Sequence, residues 1–189
     1  MSKYMSLVLV FIFLQLCISP VSLAANYNFT VKSGMDIGSL TLDLEREEES
    51  FSEIVGVSLT RIGEFIYSSN DEEVGLGGEY LPQRKTIKKD AEPFGFYSIY
   101  ALAGIRENIY FLRGKIGYNF FIPPQSQVVD PGISTTGGIY YGSSIGCNIN
   151  DFEIEILYGV NNATITEENY NKTDQLRYSR FGFNMGYRF

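Results

Sequence analysis

The sequence predicts an all-β protein, an eight-stranded antiparallel up-and-down transmembrane β-barrel preceded by a cleaved signal peptide. Segments of about ten residues alternate apolar and polar side chains, which is the period of a strand with one apolar face. The connections between these segments alternate long and short. The last segment, residues 181–189, carries a large apolar side chain at every odd position and Gly, Asn or Arg at every even one.

The composition excludes several classes of protein. The chain has 189 residues, 44% of them hydrophobic and 15% aromatic, which favours a folded β-rich domain over disorder. Its net charge of -7 argues against nucleic acid as a partner. It has no His, and of its two cysteines Cys17 lies in the leader, so neither a disulfide scaffold nor a usual zinc site is expected.

The first 24 residues have the pattern of a secretory signal peptide. Lys3 precedes an apolar run over residues 7–14, and the small residues Ser22 and Ala24 form a cleavage site. The run is too short to cross about 30 Å of hydrocarbon, which argues against a membrane anchor. The bulky Leu16 argues against a lipoprotein signal at Cys17. We expect a signal peptide over 1–24 and a barrel over 25–189.

Eight segments have the strand period, and each is expected to cross the membrane once. The clearest are the fifth, where Arg113 and Lys115 alternate with large apolar residues, and the seventh, where Glu153 and Glu155 do so. The first places Lys32 on the face opposite its apolar residues. The expected ranges are 28–42, 53–67, 74–81, 96–105, 110–120, 138–149, 152–160 and 176–189.

The second segment is the least regular. Arg61 interrupts its alternation, and a bulge near Thr60 would move the apolar phase from Val57 and Leu59 to Ile62 and Ile66. The sequence leaves this register open.

The connections divide into two groups by length. The long ones cover residues 43–50, 82–95, 122–137 and 161–175, and the short ones lie near residues 70, 107 and 150. An up-and-down meander places all long connections at one rim, as in outer-membrane barrels with long outer loops and short periplasmic turns. A soluble barrel such as a lipocalin, with its apolar phase inward, is the alternative.

The polar phase predicts charged side chains in the lumen. An eight-stranded interior is just wide enough for side chains to fill, so the charges should pair across it. The pairing would form either a plug of salt bridges or a narrow gated ion path. The expected network comprises Glu79, Arg113, Lys115, Glu153, Glu155, Arg180 and Arg188.

Three stretches carry a resemblance to a known family. Residues 97–104 (YSIYALAG), 110–118 (YFLRGKIGY) and 183–189 resemble the outer membrane protein β-barrel domain family. That family includes small eight-stranded barrels similar to OmpX, the opacity proteins and the OmpA transmembrane domain. The resemblance implies a bacterial outer-membrane location among lipid and lipopolysaccharide. It also implies that Tyr187 and Phe189 are an assembly signal for the barrel assembly machinery.

The expected function is non-enzymatic. The small outer-membrane barrels that are enzymes resemble one another in using His, which this chain lacks, and its strand carboxylates have cationic partners. We expect no cofactor, a monomer, and a role in envelope integrity or surface interaction through four outer loops. The alternatives are an adhesin or a host- or lipopolysaccharide-binding protein, and a soluble ligand-binding barrel. An anion-binding second loop would use Arg84, Lys85, Lys88 and Lys89.

Overall fold

The computed structural model describes residues 27–44, 49–87, 93–124, 133–167 and 172–189. The expected signal peptide over 1–24 lies outside this part of the chain and stays a prediction. Within the described residues, no helix is both long and apolar enough to span a bilayer.

Eight antiparallel strands form one closed barrel, in which each strand pairs with the next along the chain and β8 pairs with β1. This confirms the predicted fold class. The closure joins Val31 to Tyr187 and Leu42 to Leu176. The strands are β1 (Tyr27–Leu44), β2 (Glu49–Ser69), β3 (Glu72–Arg84), β4 (Phe94–Glu107), β5 (Tyr110–Ile122), β6 (Ile133–Ile149), β7 (Phe152–Glu167) and β8 (Lys172–Arg188).

The apolar phase of the strands faces outward. Large hydrophobic side chains cover the outer wall, and many are at least half exposed, as Leu76 (66%) and Ile116 (65%) are. Their polar neighbours in sequence are buried: Lys115, one residue before Ile116, is 3% exposed. A water-soluble barrel would bury the apolar phase instead. The soluble ligand-binding barrel is therefore the wrong reading of the alternation.

The three tight turns share one local conformation. Asn70, Asn108 and Asn150 have φ of 52°, 55° and 56°, in the left-handed region that Asn tolerates better than most residues. These turns join β2 to β3, β4 to β5 and β6 to β7, so they all lie at one rim, here called the turn rim. The four remaining connections lie at the opposite loop rim.

The strands are longer at the loop rim than the sequence indicates. The predicted loop over 161–175 contains the end of β7 and the start of β8, whose ladder runs to the pair Glu167 and Lys172. Likewise β6 begins at Ile133, inside the predicted loop over 122–137. A tilted strand crosses the hydrocarbon with about 9–11 residues. The ladder between β7 and β8 is therefore longer than such a crossing needs, and the extra length lies at the loop rim.

The expected bulge near Thr60 is wrong in position. The β1–β2 register shifts between the pairs Asp36–Ser58 and Gly38–Val55, so the extra residue lies at 56–57. Thr60 and Ile62 consequently face the lumen, and Arg61 lies on the outer face. Polar and apolar side chains mix on the inner face of β2, which is why the alternation misplaced the bulge.

Gly117 on β5 provides a test of lumen packing. A Cβ at Gly117 would collide with the Ile99 carbonyl and the Tyr100 Cα of β4, whereas one at Gly114 has its nearest neighbour, the Ala103 carbonyl oxygen, at 3.9 Å. We expect Gly117→Ala to lower the free energy of unfolding by about 1–3 kcal/mol. The matched control Gly114→Ala should change it by less than about 1 kcal/mol. Urea unfolding midpoints in detergent measure both, and equal midpoints would contradict the packing.

Candidate functional site

The lumen near the turn rim holds a buried group of charged side chains, here called the turn-side cluster. Its residues come from β1, β2, β3, β5 and β7, which the barrel brings face to face across the interior. Each lies on the inward phase of its strand and is at most 3% exposed. The members are Lys32, Glu64, Glu73, Arg113, Lys115, Glu153 and Glu155.

Two lysines hold three carboxylates together at the centre of this cluster. The Lys115 ammonium donates hydrogen bonds to Glu64 at 2.7 Å and to Glu155 at 2.8 Å. The Lys32 ammonium donates to Glu64 at 2.7 Å and to Glu153 at 2.8 Å, and it also contacts Glu155. Each lysine therefore bridges strands that are far apart in sequence.

Arg113 joins the centre of the cluster to the turn rim. Its guanidinium forms a two-bond contact with Glu153, at 2.7 and 3.1 Å, and its Nε donates to Glu73 at 2.7 Å. Glu73 is also 3.9 Å from Arg106, whose side chain is partly exposed at the rim. With Arg106 included, four cations face four carboxylates, so this layer is electrically balanced.

A second group lies nearer the loop rim, here called the loop-side cluster, and comprises Asp36, Glu79, Arg84 and Arg180. Arg84 and Arg180 both approach Asp36, and Arg180 also pairs with Glu79. The Tyr178 hydroxyl donates to Asp36 at 2.9 Å. Two cations and two carboxylates again balance, and all four residues are at most 3% exposed.

Arg84 also lies beside an interruption in the β2–β3 ladder, here called the β2–β3 seam, and bonds backbone groups there. The regular β2–β3 ladder ends at the pair Arg61–Tyr80, and pairing resumes at the single bridge Val55–Thr86. Between these points the Arg84 guanidinium donates to the Leu59 carbonyl of β2 at 3.1 Å and to the Pro82 carbonyl of β3 at 2.8 Å. A side chain thus satisfies backbone acceptors that a regular ladder would satisfy.

An apolar layer lies in the lumen beyond the loop-side cluster. It is here called the apolar cap, and its rings lie close together: Phe96 stacks on Tyr178 with ring centroids 6.1 Å apart, and Phe94 meets Tyr178 edge-on at 5.6 Å. Buried side chains from β2, β3, β4, β7 and β8 build it. They are Val55, Leu81, Phe94, Phe96, Ala163, Leu176 and Tyr178.

The turn-side cluster has the oxygen donors of a metal site but a different occupant. Glu64, Glu153 and Glu155 place carboxylate oxygens within 4.8 Å of one another. The ammonium groups of Lys32 and Lys115 contact the same oxygens at hydrogen-bond distance, and they neutralise the carboxylates as a cation would. This donor set is therefore committed to ion pairing within the chain.

Six of the seven expected network residues lie in the two clusters: Glu79, Arg113, Lys115, Glu153, Glu155 and Arg180. Arg188 does not. It lies at the turn rim and donates to the Asn150 carbonyl at 3.2 Å, because β8 carries it beyond the last acidic layer.

The expected basic patch on the second loop is divided. Arg84 is 0% exposed inside the barrel, so its assignment to a surface anion site is wrong. Lys85 is exposed, and Lys88 and Lys89 lie outside the described residues.

At the turn rim, Phe189 exchanges backbone hydrogen bonds with Phe29, at 2.8 and 3.3 Å, and packs on Tyr187 with ring centroids 4.9 Å apart.

Five members of the clusters were missing from the predicted network: Arg84, which was assigned to the loop instead, and Lys32, Asp36, Glu64 and Glu73. Lys32 and Asp36 occupy the polar phase of β1, so the alternation alone indicated their direction. Glu64 follows the bulge of β2, whose register was open. Glu73 adjoins a tight turn, where the sequence does not distinguish a rim residue from a lumen residue.

Neither a protein-family model nor a curated protein sequence matches the chain. Among solved structures, it is similar to the outer membrane protein OprG from Pseudomonas aeruginosa, with 12% identity and a TM-score of 0.50 over 87% of this chain and 96% of OprG. Ail, the attachment invasion locus protein of Yersinia pestis, has 16% identity and a TM-score of 0.44 over 84% of this chain and 98% of Ail. The outer membrane protease OmpT from Escherichia coli has 10% identity and a TM-score of 0.38 over 90% of this chain and 99% of OmpT.

At these identities the similarity shows a shared fold and nothing more, and the fold comparison rests on OprG. A closed eight-stranded barrel with an apolar outer wall and a charged lumen is a transmembrane β-barrel. With the fold shared with OprG, these features make the chain a β-barrel of the bacterial outer membrane. The resemblance to the small outer-membrane barrels is thereby confirmed at the level of fold.

Replacing Arg84 tests the seam and the loop-side cluster together. We expect Arg84→Met to lower the free energy of unfolding by about 3–5 kcal/mol, because it leaves Asp36 buried with an incomplete set of partners. Lys85→Met, at the exposed neighbouring position, should change it by no more than about 0.5 kcal/mol. Adding Asp36→Asn to Arg84→Met should recover part of the loss. Equal urea midpoints for the two single variants would contradict this role of Arg84.

Proposed function

We propose that the protein is a non-enzymatic outer-membrane barrel with a side-chain-filled lumen. It serves envelope integrity or surface interaction through the four connections at its loop rim. The single observation that carries the proposal is the content of the lumen. The turn-side cluster, the loop-side cluster and the apolar cap follow one another along the barrel, and side chains from opposite walls meet in each layer.

The lumen supports a structural role rather than a channel. A conducting pore needs charged groups that face water, whereas the carboxylates and cations of the two clusters hold one another at hydrogen-bond distance. The apolar cap adds a layer built mostly of hydrocarbon side chains, in which the Tyr178 hydroxyl is already bonded to Asp36. These contacts favour the plug of salt bridges over the gated ion path.

The ion pairs also argue against catalysis. A general acid or base must reach a substrate, and Glu64, Glu153 and Glu155 are 0% exposed and paired with cations. The chain also has no His to serve as a base. We therefore assign the strand carboxylates to the stability of the lumen.

The loop rim supports surface interaction, because the extra length of the β7–β8 ladder lies on that side. An adhesin or a host- or lipopolysaccharide-binding protein stays the alternative. The basic second loop would then act through Lys85, Lys88 and Lys89, without the buried Arg84. One chain closes the whole barrel, so a monomer suffices for the fold.

Single-channel recording tests the filled lumen. The informative double variant is Arg113→Ala with Glu153→Ala, since these two side chains pair directly, whereas Glu155 pairs with the lysines. We expect no ion-conducting steps in planar bilayers for the natural chain or for this variant, because the loop-side cluster and the apolar cap stay in place. Heat-modifiable migration on a gel confirms that each sample is folded. Regular conductance steps in the natural chain would contradict the plug.

We also propose that Tyr187 and Phe189 serve as the assembly signal for the barrel assembly machinery. Phe189 makes two backbone hydrogen bonds to Phe29, so it could instead act only as an anchor of the rim. Deleting Phe189 separates these roles. We expect insertion in cells to fall several-fold while refolding of the purified chain into detergent is nearly unchanged. An equal loss in both assays would show that Phe189 acts through rim stability.

A further inference from the structure

Arg61 is a charged residue on the apolar outer wall of the barrel. It is exposed, whereas its neighbours Thr60 and Ile62 face the lumen. Within the described part of the chain, its guanidinium has neither a hydrogen bond nor an ion pair. A cation at this position is costly in a bilayer, and residues of this kind are functional candidates by default.

A recess in the outer wall surrounds Arg61. It has a volume of about 1050 Å³ and is predominantly apolar. The residues that line it come from β1 to β5 and from β8, and they include the buried Lys32 and Glu79. Its outward-facing wall includes Ser33, Arg61, Gly63, Gly78, Tyr80 and Tyr97, and we call this part the outer recess.

Gly63 and Gly78 leave space in the outer recess, and the packing of the barrel does not require a glycine at either position. A Cβ at Gly63 would meet its nearest neighbour, Phe29 Cζ, at 3.9 Å, and one at Gly78 would meet the Ser98 carbonyl oxygen at 3.7 Å. Both distances are ordinary van der Waals contacts. A methyl side chain would therefore fit the fold at both positions, and the open space lies on the outer face of the wall.

Aromatic side chains indicate where the Arg61 guanidinium can reach. Arg61 pairs with Tyr80, and Tyr80 stacks on Tyr97 with ring centroids 4.6 Å apart. Tyrosines of this kind concentrate at membrane interfaces, near the level of lipid head groups. An arginine can extend its apolar stem along the wall and place its guanidinium at that level. A guanidinium at that level can bind a head-group phosphate with two parallel hydrogen bonds.

We propose that the outer recess binds one phosphate-bearing lipid of the outer leaflet. Arg61 holds the head-group phosphate, and an acyl chain lies over Gly63 and Gly78 between the surrounding aromatic side chains. The cation and the apolar recess match the two parts of such a lipid. This inference rests on the membrane location of the barrel and is independent of what the outer loops contact.

Native mass spectrometry of the folded full chain in non-ionic detergent tests the proposal, with bisphosphorylated lipid A as the probe. We expect one retained lipid A, with affinity reduced about tenfold or more by Arg61→Gln, the scale of a lost charge-assisted hydrogen bond. Gly78→Leu, or Gly63→Leu if the first variant folds poorly, should reduce it comparably by filling the recess. Dephosphorylated lipid A should bind much more weakly.

The matched controls are Arg177→Gln, which removes another exposed cation, and Gly114→Leu, which changes another outward glycine; both should bind lipid A as the natural chain does. Heat-modifiable migration establishes folding, so a folded barrel that retains no lipid overturns the lipid site and leaves the filled-lumen proposal standing. Equal retention by Arg61→Gln and Arg177→Gln also overturns it. Three further outcomes would also overturn the lipid site. They are equal binding of dephosphorylated lipid A, loss of binding when Lys85, Lys88 and Lys89 alone are replaced, and a dimer that Gly78→Leu disrupts.

Discussion

Charges inside a narrow membrane barrel must be paired, and this constraint organises the whole structure. The interior of eight strands is too small to hydrate ions fully, and the surrounding hydrocarbon offers them nothing. The chain meets the constraint with two balanced layers in which most cations bridge strands that are not neighbours in the ladder. Lys32 connects β1 to β2 and β7, and Arg113 connects β5 to β3 and β7. The ion pairs therefore act as cross-links between walls that the backbone ladder joins only to their neighbours.

The same pairing explains how the wall tolerates a defect. A bilayer cannot satisfy free backbone groups, so a barrel normally keeps its ladders continuous. Between β2 and β3 the ladder is interrupted, and Arg84 donates to carbonyls on both strands while its charge meets Asp36. One side chain thus closes the wall and balances the lumen. Arg84 is consequently a structural residue, although it belongs to a basic stretch of the sequence.

The charged residues on the outer and inner faces of β2 lie in different surroundings. Its inner face contributes Glu64 to the turn-side cluster, and its outer face carries Arg61, which has no partner within the described chain. A buried cation would require a carboxylate, whereas a membrane-facing cation beside tyrosines can reach the head-group level. In the function proposed above the lumen serves stability, and the loop rim and the outer recess are the surfaces proposed to meet partners.

The sequence by itself determined the number of strands, their direction, the closure of β8 on β1 and the inward direction of six charged residues. Alternation and connection length are local properties, and they specify the face and the rim of each residue. The tertiary structure alone decided which charges meet, as with Lys32 and Glu64, because pairing depends on the stagger between strands on opposite walls. It also decided the position of the β2 bulge and the burial of Arg84. Polar and apolar side chains mix on the inner face of β2, so the alternation in sequence does not reveal the register of that strand. Stagger and bulges are collective properties of the closed barrel, and no single segment encodes them.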